Sequence, residues 1–341
     1  MLGLRDILDR REQVLLEWSR QRTLERVPEF YDDIFVYGQS NIFDPAREYQ
    51  LPLSLARRLK YCGYVTNETN GGSISREPSE SLRVPARSRP LVLATIGGGD
   101  DGHSLLEAFV EAAHRGQWNG MVVVGPLAAD DKRNHIRELA TKRGVRFYDF
   151  LPNLSDWFAR VDALVCMGGY NTLGEALSVG TPIVCVPRTA PRQEQLIRAR
   201  ALARLGLLRV LKPNRLDVST LRLAVEKSVK TSRCVLLRKV NAVLNFDGAF
   251  RAARNLLEIA AGAGIQEDSI RRVANRVFSG FKMDNNDPVT PATPVFPSIN
   301  SGQTLRLSEG DLGSLPDTPL QSPLTVAQAS GLVSRSKHSK S

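Results

Sequence analysis

The feature that most constrains the fold is a regular alternation of short apolar segments and helical segments after residue 90. Apolar segments at 91–96 (LVLATI), 162–169 (DALVCMGG) and 181–188 (TPIVCVPR) are separated by segments of helical periodicity, such as 105–116 (LLEAFVEAAHRG). This alternation predicts parallel strands that helices cover on both faces. Continuously apolar strands fit burial on both faces. The sequence therefore predicts an α/β fold with one complete, doubly wound parallel sheet.

The residues before this region show weaker patterns. Residues 1–27 are predicted to form a charged helix that Pro28 ends, and 32–38 and 60–65 are predicted strands. Residues 66–90 are rich in Ser, Gly, Pro and Asn, which is typical of a linker.

The residues after the alternating region divide into a helical part and a part of biased composition. Two helices are expected at about 215–230 and 246–262, and the following residues are rich in Pro, Ser, Thr and Asn, which predicts a disordered tail. The predicted division has four parts: an N-terminal segment at 1–65, a linker at 66–90, a domain at 91–262 and a tail at 263–341.

The positive net charge of the chain indicates which classes of ligand or partner it could bind. The chain has 341 residues and a formal net charge of +10, which would suit nucleic acid, a phosphorylated small ligand or an acidic membrane surface. The basic residues are spread along helical segments such as 192–212, without an aromatic set typical of RNA-binding domains or a basic tail. We therefore expect no nucleic-acid partner, whereas a phosphorylated ligand and peripheral contact with a membrane both fit the charge.

Three further features favour a cytoplasmic location. The sequence has no apolar run long enough to cross a membrane, and its N-terminus has no apolar core of the kind found in signal peptides. Its 4 cysteines are scattered without the paired spacing of a zinc site, as expected for reduced thiols.

Two glycine-rich segments each join a predicted strand to a predicted helix. They are Gly97-Gly98-Gly99 and the segment 168–172 (GGYNT). Ligands bind at the carboxyl ends of such strands, and glycine lets backbone N–H groups approach an anion at a helix N-terminus. Two loops of this kind on one sheet could hold a diphosphate between them, although each alone is equally compatible with a tight turn.

The acidic residues next to these loops could each have a structural role or a ligand-binding role. Asp100 and Asp101 are expected to cap the following helix rather than to bind a metal. Glu175 lies three residues after Thr172, the spacing of a capping box, but its carboxylate would equally accept hydrogen bonds from both hydroxyls of a ribose. His103 is a candidate phosphate contact.

Polar residues after the apolar segment 181–188 are candidates for further ligand contacts. Arg188 and Arg192 carry guanidinium groups, which suit phosphates. Glu194 and Gln195 place a carboxylate beside an amide, a combination that suits sugar hydroxyls, although a polar first helical turn has the same composition.

The order of these motifs resembles a known family. The segment FYDFLPNLSDWFARVDALVCMGGYNTLGEALSVGTPIVCVP, followed by RQEQ, is similar to the nucleotide-sugar half of GT-B glycosyltransferases, and most closely to family 28. The resemblance covers residues 91–262, and 31–65 resembles the end of the family's N-terminal domain. It implies a GT-B type fold with one complete Rossmann-like sheet and a remnant of the acceptor domain.

The resemblance also implies roles for single residues. The donor would be a nucleotide-diphosphate sugar, with uracil as the implied base, and no cofactor or metal would be required. The implied contacts are Gly98, Gly99, Gly169, Tyr170, Asn171 and Thr172 with the diphosphate, Glu175 with the ribose, Glu194 and Gln195 with the sugar, and the segment of Phe150 and Leu151 with the base.

The sequence contains fewer candidate residues for binding and activating the acceptor than for binding the donor. Inverting transfer needs a general base for the acceptor hydroxyl, and residues 1–65 offer no candidate. The acceptor is therefore unknown, and several alternatives stay open: a fragment, a donor-binding subunit that needs a separate acceptor-domain partner, a binding module without catalysis, or an enzyme similar to nucleotide-sugar 2-epimerases.

Overall fold

A computed structural model describes residues 1–66, 89–98 and 101–262 of the chain. The strands are β1 (Leu2–Arg5), β2 (Ile34–Tyr37), β3 (Leu59–Tyr61), β4 (Leu91–Thr95), β5 (Asn119–Val123), β6 (Arg146–Tyr148), β7 (Ala163–Cys166), β8 (Ile183–Cys185) and β9 (Arg209–Val210). The helices of the N-terminal segment are α1 (Arg11–Gln21), α2 (Thr23–Phe30), α3 (Pro45–Glu48) and α4 (Leu53–Ala56). The remaining helices are α5 (His103–Arg115), α6 (Asp130–Arg143), α7 (Ser155–Phe158), α8 (Tyr170–Ser178), α9 (Glu194–Arg204), α10 (Val218–Val229), α11 (Arg233–Val243) and α12 (Gly248–Gly262).

The larger sheet confirms the predicted doubly wound α/β fold. Its six strands follow the order β6-β5-β4-β7-β8-β9, and every neighbouring pair is parallel. The chain runs outward from β4 in one direction through β5 and β6, and then returns to place β7 on the other side of β4. The strand order therefore reverses between β4 and β7, and a crevice opens there at the carboxyl ends of the strands.

Two apolar cores cover the two faces of this sheet. Val92 and Ala94 of β4 belong to the core beneath α5, α6 and α10, whereas Leu91 and Leu93 belong to the core beneath α7, α8, α9 and α11. Successive side chains of a strand point to opposite faces, so a strand buried on both faces has to be apolar throughout. This is the physical basis of the apolar runs in the sequence.

The N-terminal segment forms a second, smaller parallel sheet in the order β1-β2-β3. The predicted strand at 32–38 is present as β2, and the strand predicted at 60–65 is the shorter β3. Buried Phe35 and Val36 of β2 and Tyr49 form part of its core.

The prediction of a single helix over residues 1–27 was wrong. Leu2–Arg5 pair with β2 instead, and the helical part is divided at Arg22, whose φ of 53° is left-handed. Pro28 lies inside α2, which ends two residues later at Phe30. The first residues form a strand because they pair with β2, more than 25 residues away in sequence. Local periodicity does not encode such a pairing.

The prediction of two helices after residue 215 missed α11. Ser232 accepts a hydrogen bond from the Val235 N–H at the start of this helix, and buried Leu236 and Val240 face the sheet. Residues 67–88 of the linker predicted at 66–90, and the whole tail predicted at 263–341, lie outside the described residues.

Candidate functional site

A cleft of about 260 Å³ lies at the carboxyl ends of β4 and β7, where the strand order reverses. Both glycine-rich segments contribute to it, so two loops about 70 residues apart in sequence meet at one place. The residues that line the cleft are Arg5, Thr95, Ile96, Gly97, Gly98, Asp101, Cys166, Met167, Gly169, Tyr170, Asn171, Thr172, Arg188 and Gln195.

The first loop leaves room for a ligand against its backbone. The Gly97 N–H donates to Thr95 Oγ1 at 3.2 Å, and Gly97 has a φ of 76°, which favours glycine. Among the described residues other than its chain neighbours, a Cβ atom added at Gly97 or at Gly98 would meet no heavy atom within 4 Å. The space above both residues is therefore open for a group that approaches the chain closely. Gly99, the third glycine of the loop, lies outside the described residues.

The second loop ends at the N-terminus of α8. Its N-cap is Gly169, which supplies no side-chain hydrogen bond, and Tyr170, Asn171 and Thr172 form the first helical turn. The N–H groups of a first turn have no partner within the helix and carry its positive partial charge. The cleft therefore has an anion-binding end made of backbone atoms.

The structure excludes the capping-box interpretation of Thr172 and Glu175. Because α8 starts at Tyr170, Thr172 is the third helical residue and Glu175 lies in the second turn, too far along the helix to reach back to the N-cap. The predicted capping role of Asp101 was wrong as well, since Gly102 is the N-cap of α5 and receives no side-chain cap. Asp100 lies outside the described residues.

A buried ion pair joins this loop to the N-terminal sheet. Arg198 of α9 is 2% exposed and donates to both carboxylate oxygens of Asp6, at 2.7 and 3.0 Å. It also donates to the Gly168 carbonyl at 3.4 Å, and its guanidinium lies 5.6 Å from the ring centre of Tyr170. Burial alone would lower the pKa of Arg198, but the Asp6 carboxylate more than reverses this and raises the pKa. Arg198 therefore stays charged and anchors the loop.

Tyr170 directs its hydroxyl away from any ligand in the cleft. Its oxygen accepts a hydrogen bond from the Val65 N–H at 2.9 Å, and its ring stacks on Tyr64 at 5.6 Å. Burial raises the pKa of Tyr170. A contact between Tyr170 and a diphosphate would thus come from its backbone, while the side chain fastens the N-terminal segment to the domain.

Arg188 lies between the first loop and α9. Its Nη1 donates to Asp101 Oδ2 at 3.3 Å, and its Nη2 donates to Glu194 Oε1 at 2.9 Å. Burial alone would lower the pKa of Arg188, but Glu194 and Asp101 raise it. Gln195 accepts a hydrogen bond from the Arg188 N–H at 3.2 Å, whereas the second oxygen of Glu194 is buried and has no partner in the described part of the chain. Glu194 therefore keeps one acceptor for a further donor.

Three of the predicted contacts, Arg192, His103 and Glu194, do not line the cleft. Arg192 donates instead to both carboxylate oxygens of Glu17 in α1, at 3.1 and 3.2 Å. His103 faces a separate cleft of about 200 Å³ between α5 and α6, together with Glu107 and His135.

The predicted base and ribose contacts lie outside the cleft lining as well. Phe150 is 59% exposed after β6, and Leu151 packs partly against the core. Glu175 lies four residues after Asn171 and hence on the same face of α8, one turn further from the loop.

The sequence reasoning missed Arg5, the last residue of β1, whose side chain lines the cleft from the smaller sheet. A motif search within the larger domain could not find it. The available signal was the position of an arginine directly after the apolar residues of a strand.

Comparisons with known proteins find glycosyltransferases. Residues 104–245 match the model of the glycosyltransferase family 28 C-terminal domain. A UDP-N-acetylglucosamine--N-acetylmuramyl-(pentapeptide) pyrophosphoryl-undecaprenol N-acetylglucosamine transferase of Aromatoleum aromaticum (strain DSM 19018 / LMG 30748 / EbN1) is 26% identical over 207 residues, which cover 60% of this chain and 58% of the relative. The NDP-glycosyltransferase YjiC of Bacillus subtilis (strain 168) is 24% identical over 263 residues, which cover 76% of this chain and 63% of the relative.

The chain spans less than two thirds of the length of these curated relatives. Among solved structures, that of CalG4, the calicheamicin glycosyltransferase, matches with a TM-score of 0.48 and 19% identity over 73% of this chain and 59% of that one. Within the described ranges, no group of three His, Cys, Asp or Glu side chains is placed to hold a metal ion, and no helix is both long and apolar enough to cross a membrane.

Proposed function

We propose that this chain, which carries a glycosyltransferase family 28 C-terminal domain over residues 104–245, binds a nucleotide-diphosphate sugar and takes part in transfer of its hexosyl group to an acceptor. One observation carries the proposal: the open backbone of Gly97 and Gly98 and the N-terminus of α8 line the same cleft. The diphosphate would lie between them, where N–H groups and the helix dipole favour negative charge.

The same arrangement would assist the transfer step. When the bond between the sugar carbon and the diphosphate oxygen breaks, negative charge grows on the departing diphosphate as the acceptor oxygen bonds to the sugar. N–H groups fixed in advance at the start of α8 stabilise that charge without having to reorganise. The described residues thus supply stabilisation of the leaving group, and the acceptor and its general base remain unassigned.

The remaining parts of the donor are assigned to residues around the cleft. Glu194, whose second carboxylate oxygen has no partner among the described residues, and Gln195, which lines the cleft, would accept hydrogen bonds from sugar hydroxyls. Glu175 would accept the ribose hydroxyls one turn along α8, and the backbone of Phe150 and Leu151 would contact the base. Resemblance alone favours uracil as that base.

Equilibrium titration of the purified chain with UDP, UDP-N-acetylglucosamine and GDP tests the proposal. We expect saturable binding of UDP and of its sugar conjugate, with GDP weaker. If none of the three nucleotides bound saturably, the proposed function would be wrong.

A turnover assay separates an enzyme from a binding module. The purified chain is incubated with UDP-N-acetylglucosamine, with and without an extract that contains acceptors and partner subunits, and release of UDP is followed. Release that requires the extract supports transfer to an acceptor. Binding without release under either condition would favour a module that only binds the donor.

A further inference from the structure

The side chain of Arg5 is a charged feature of the cleft to which the donor-binding scheme gives no role. It comes from the smaller sheet, at the carboxyl end of β1, while the two glycine loops come from the larger sheet. We infer that Arg5 is a phosphate-binding residue that reaches across from the N-terminal segment to the diphosphate of the donor, an inference that rests on the proposed function.

The charge balance of the cleft gives the first argument. Arg188, the other cation in the lining, is already paired with the carboxylates of Asp101 and Glu194. Arg5 is exposed and makes no ion pair with any described residue. A diphosphate carries more than one negative charge, so a cleft whose other cation is neutralised by two carboxylates needs a further positive group. Arg5 supplies it, and its planar guanidinium can donate two parallel hydrogen bonds to phosphate oxygens.

The position of Arg5 is also fixed relative to the loop that it would face. The next residue, Asp6, is 1% exposed and forms the buried ion pair with Arg198. Arg198 in turn donates to the Gly168 carbonyl, one residue before the N-cap of α8. Two contacts therefore connect the backbone beside Arg5 to the start of the anion-binding loop, which holds the arginine at that site before a ligand arrives.

The test compares Arg5→Gln, Arg5→Lys and the wild-type chain in equilibrium titrations with UDP and with uridine. Because Arg5 is exposed, all variants should melt at the wild-type temperature. Arg5→Gln is expected to weaken UDP binding about tenfold, as loss of a charged hydrogen bond predicts, and to leave uridine binding unchanged. Arg5→Lys keeps the positive charge but cannot donate two parallel hydrogen bonds from a planar group. Its affinity for UDP should therefore lie between those of Arg5→Gln and the wild type. Arg26→Gln, which removes an exposed arginine of α2 away from the cleft lining, is the charge-matched control and should bind UDP as the wild type does.

The possible failures are distinct. If the wild type binds UDP and Arg5→Gln binds it equally well, the inference about Arg5 is overturned while the proposed function stands. An equal loss for UDP and uridine would also overturn it, because Arg5 would then act on the nucleoside or on the fold. If the wild type binds neither UDP nor its sugar conjugate, the proposed function fails and the role of Arg5 fails with it.

Discussion

A substitution at Gly98 can separate an effect on ligand binding from an effect on folding. A methyl group at this position would meet no described heavy atom within 4 Å apart from its chain neighbours, and Gly98 does not adopt the left-handed backbone that marks Gly97. Gly98→Ala should therefore leave the melting temperature unchanged, or raise it slightly through the lower entropy of the unfolded chain. Its methyl group would fill the space where the diphosphate approaches, so UDP binding should weaken. Calorimetric titration and thermal melting measure the two effects, and undiminished binding would place the ligand elsewhere.

Substitution of Glu175 tests the predicted contact between its carboxylate and the ribose. The start of α8 at Tyr170 removes the capping box as a reason for this glutamate. Glu175→Ala should weaken the binding of UDP by about 1–3 kcal/mol, because hydrogen bonds to a charged acceptor are lost. Inorganic diphosphate, which lacks a ribose, should bind the variant and the wild type equally. Weakening of both ligands would instead indicate that Glu175 shapes the loop.

At the scale of single residues, the sequence predicts backbone roles better than side-chain roles. The glycine loops were identifiable because glycine and a following helix are local signals. The pairing of Arg192 with Glu17, and of Arg188 with Asp101 and Glu194, depends on segments that come together only in the folded chain. No spacing rule predicts which carboxylate neutralises which arginine.

Among the elements, α9 holds the anion-binding loop in place through Arg198. Arg198→Met would leave the Asp6 carboxylate buried without its cation, which should lower the free energy of unfolding by about 3–5 kcal/mol. Arg222→Met is the matched control, because Arg222 forms a half-exposed pair with Glu226 at 3.8 Å and its loss should change stability by about 0–1 kcal/mol. Chemical denaturation measures both changes. Equal effects of the two substitutions would show that the buried pair does not anchor the loop.

The regular elements of the larger sheet were predictable because burial on both faces leaves a continuous apolar signal. The smaller sheet was not fully predictable, since β1 has only four residues and takes its strand conformation from pairing with β2. The missed helix α11 did carry a signal, with a serine at its N-cap and apolar residues at helical spacing. The sequence of this segment therefore contains the information that predicts a helix.

For the molecule as a whole, buried tyrosines predict where stability is lost at high pH. Burial raises the pKa of Tyr49 to about 12, and it also raises the pKa values of Tyr64 and Tyr170. A group whose pKa is higher in the folded than in the unfolded state stabilises the fold below its unfolded pKa, about 10 for tyrosine. This contribution is lost as the pH rises from about 10 towards 12.

The measurement is an alkaline titration followed by tyrosinate absorbance and by circular dichroism. The ionisation of these three tyrosines should coincide with loss of structure, because Tyr64 and Tyr170 stack at the junction of the N-terminal segment and the larger domain. Ionisation of every tyrosine near pH 10, with the circular dichroism unchanged, would contradict the burial of these side chains.

A crystal structure of the chain with bound UDP tests the proposed position of the diphosphate most directly. We expect the phosphates to lie between the backbone of Gly97 and Gly98 and the N-terminus of α8, within hydrogen-bond distance of N–H groups from both. UDP bound in the cleft beside His103, or with its phosphates directed away from both glycine loops, would contradict it.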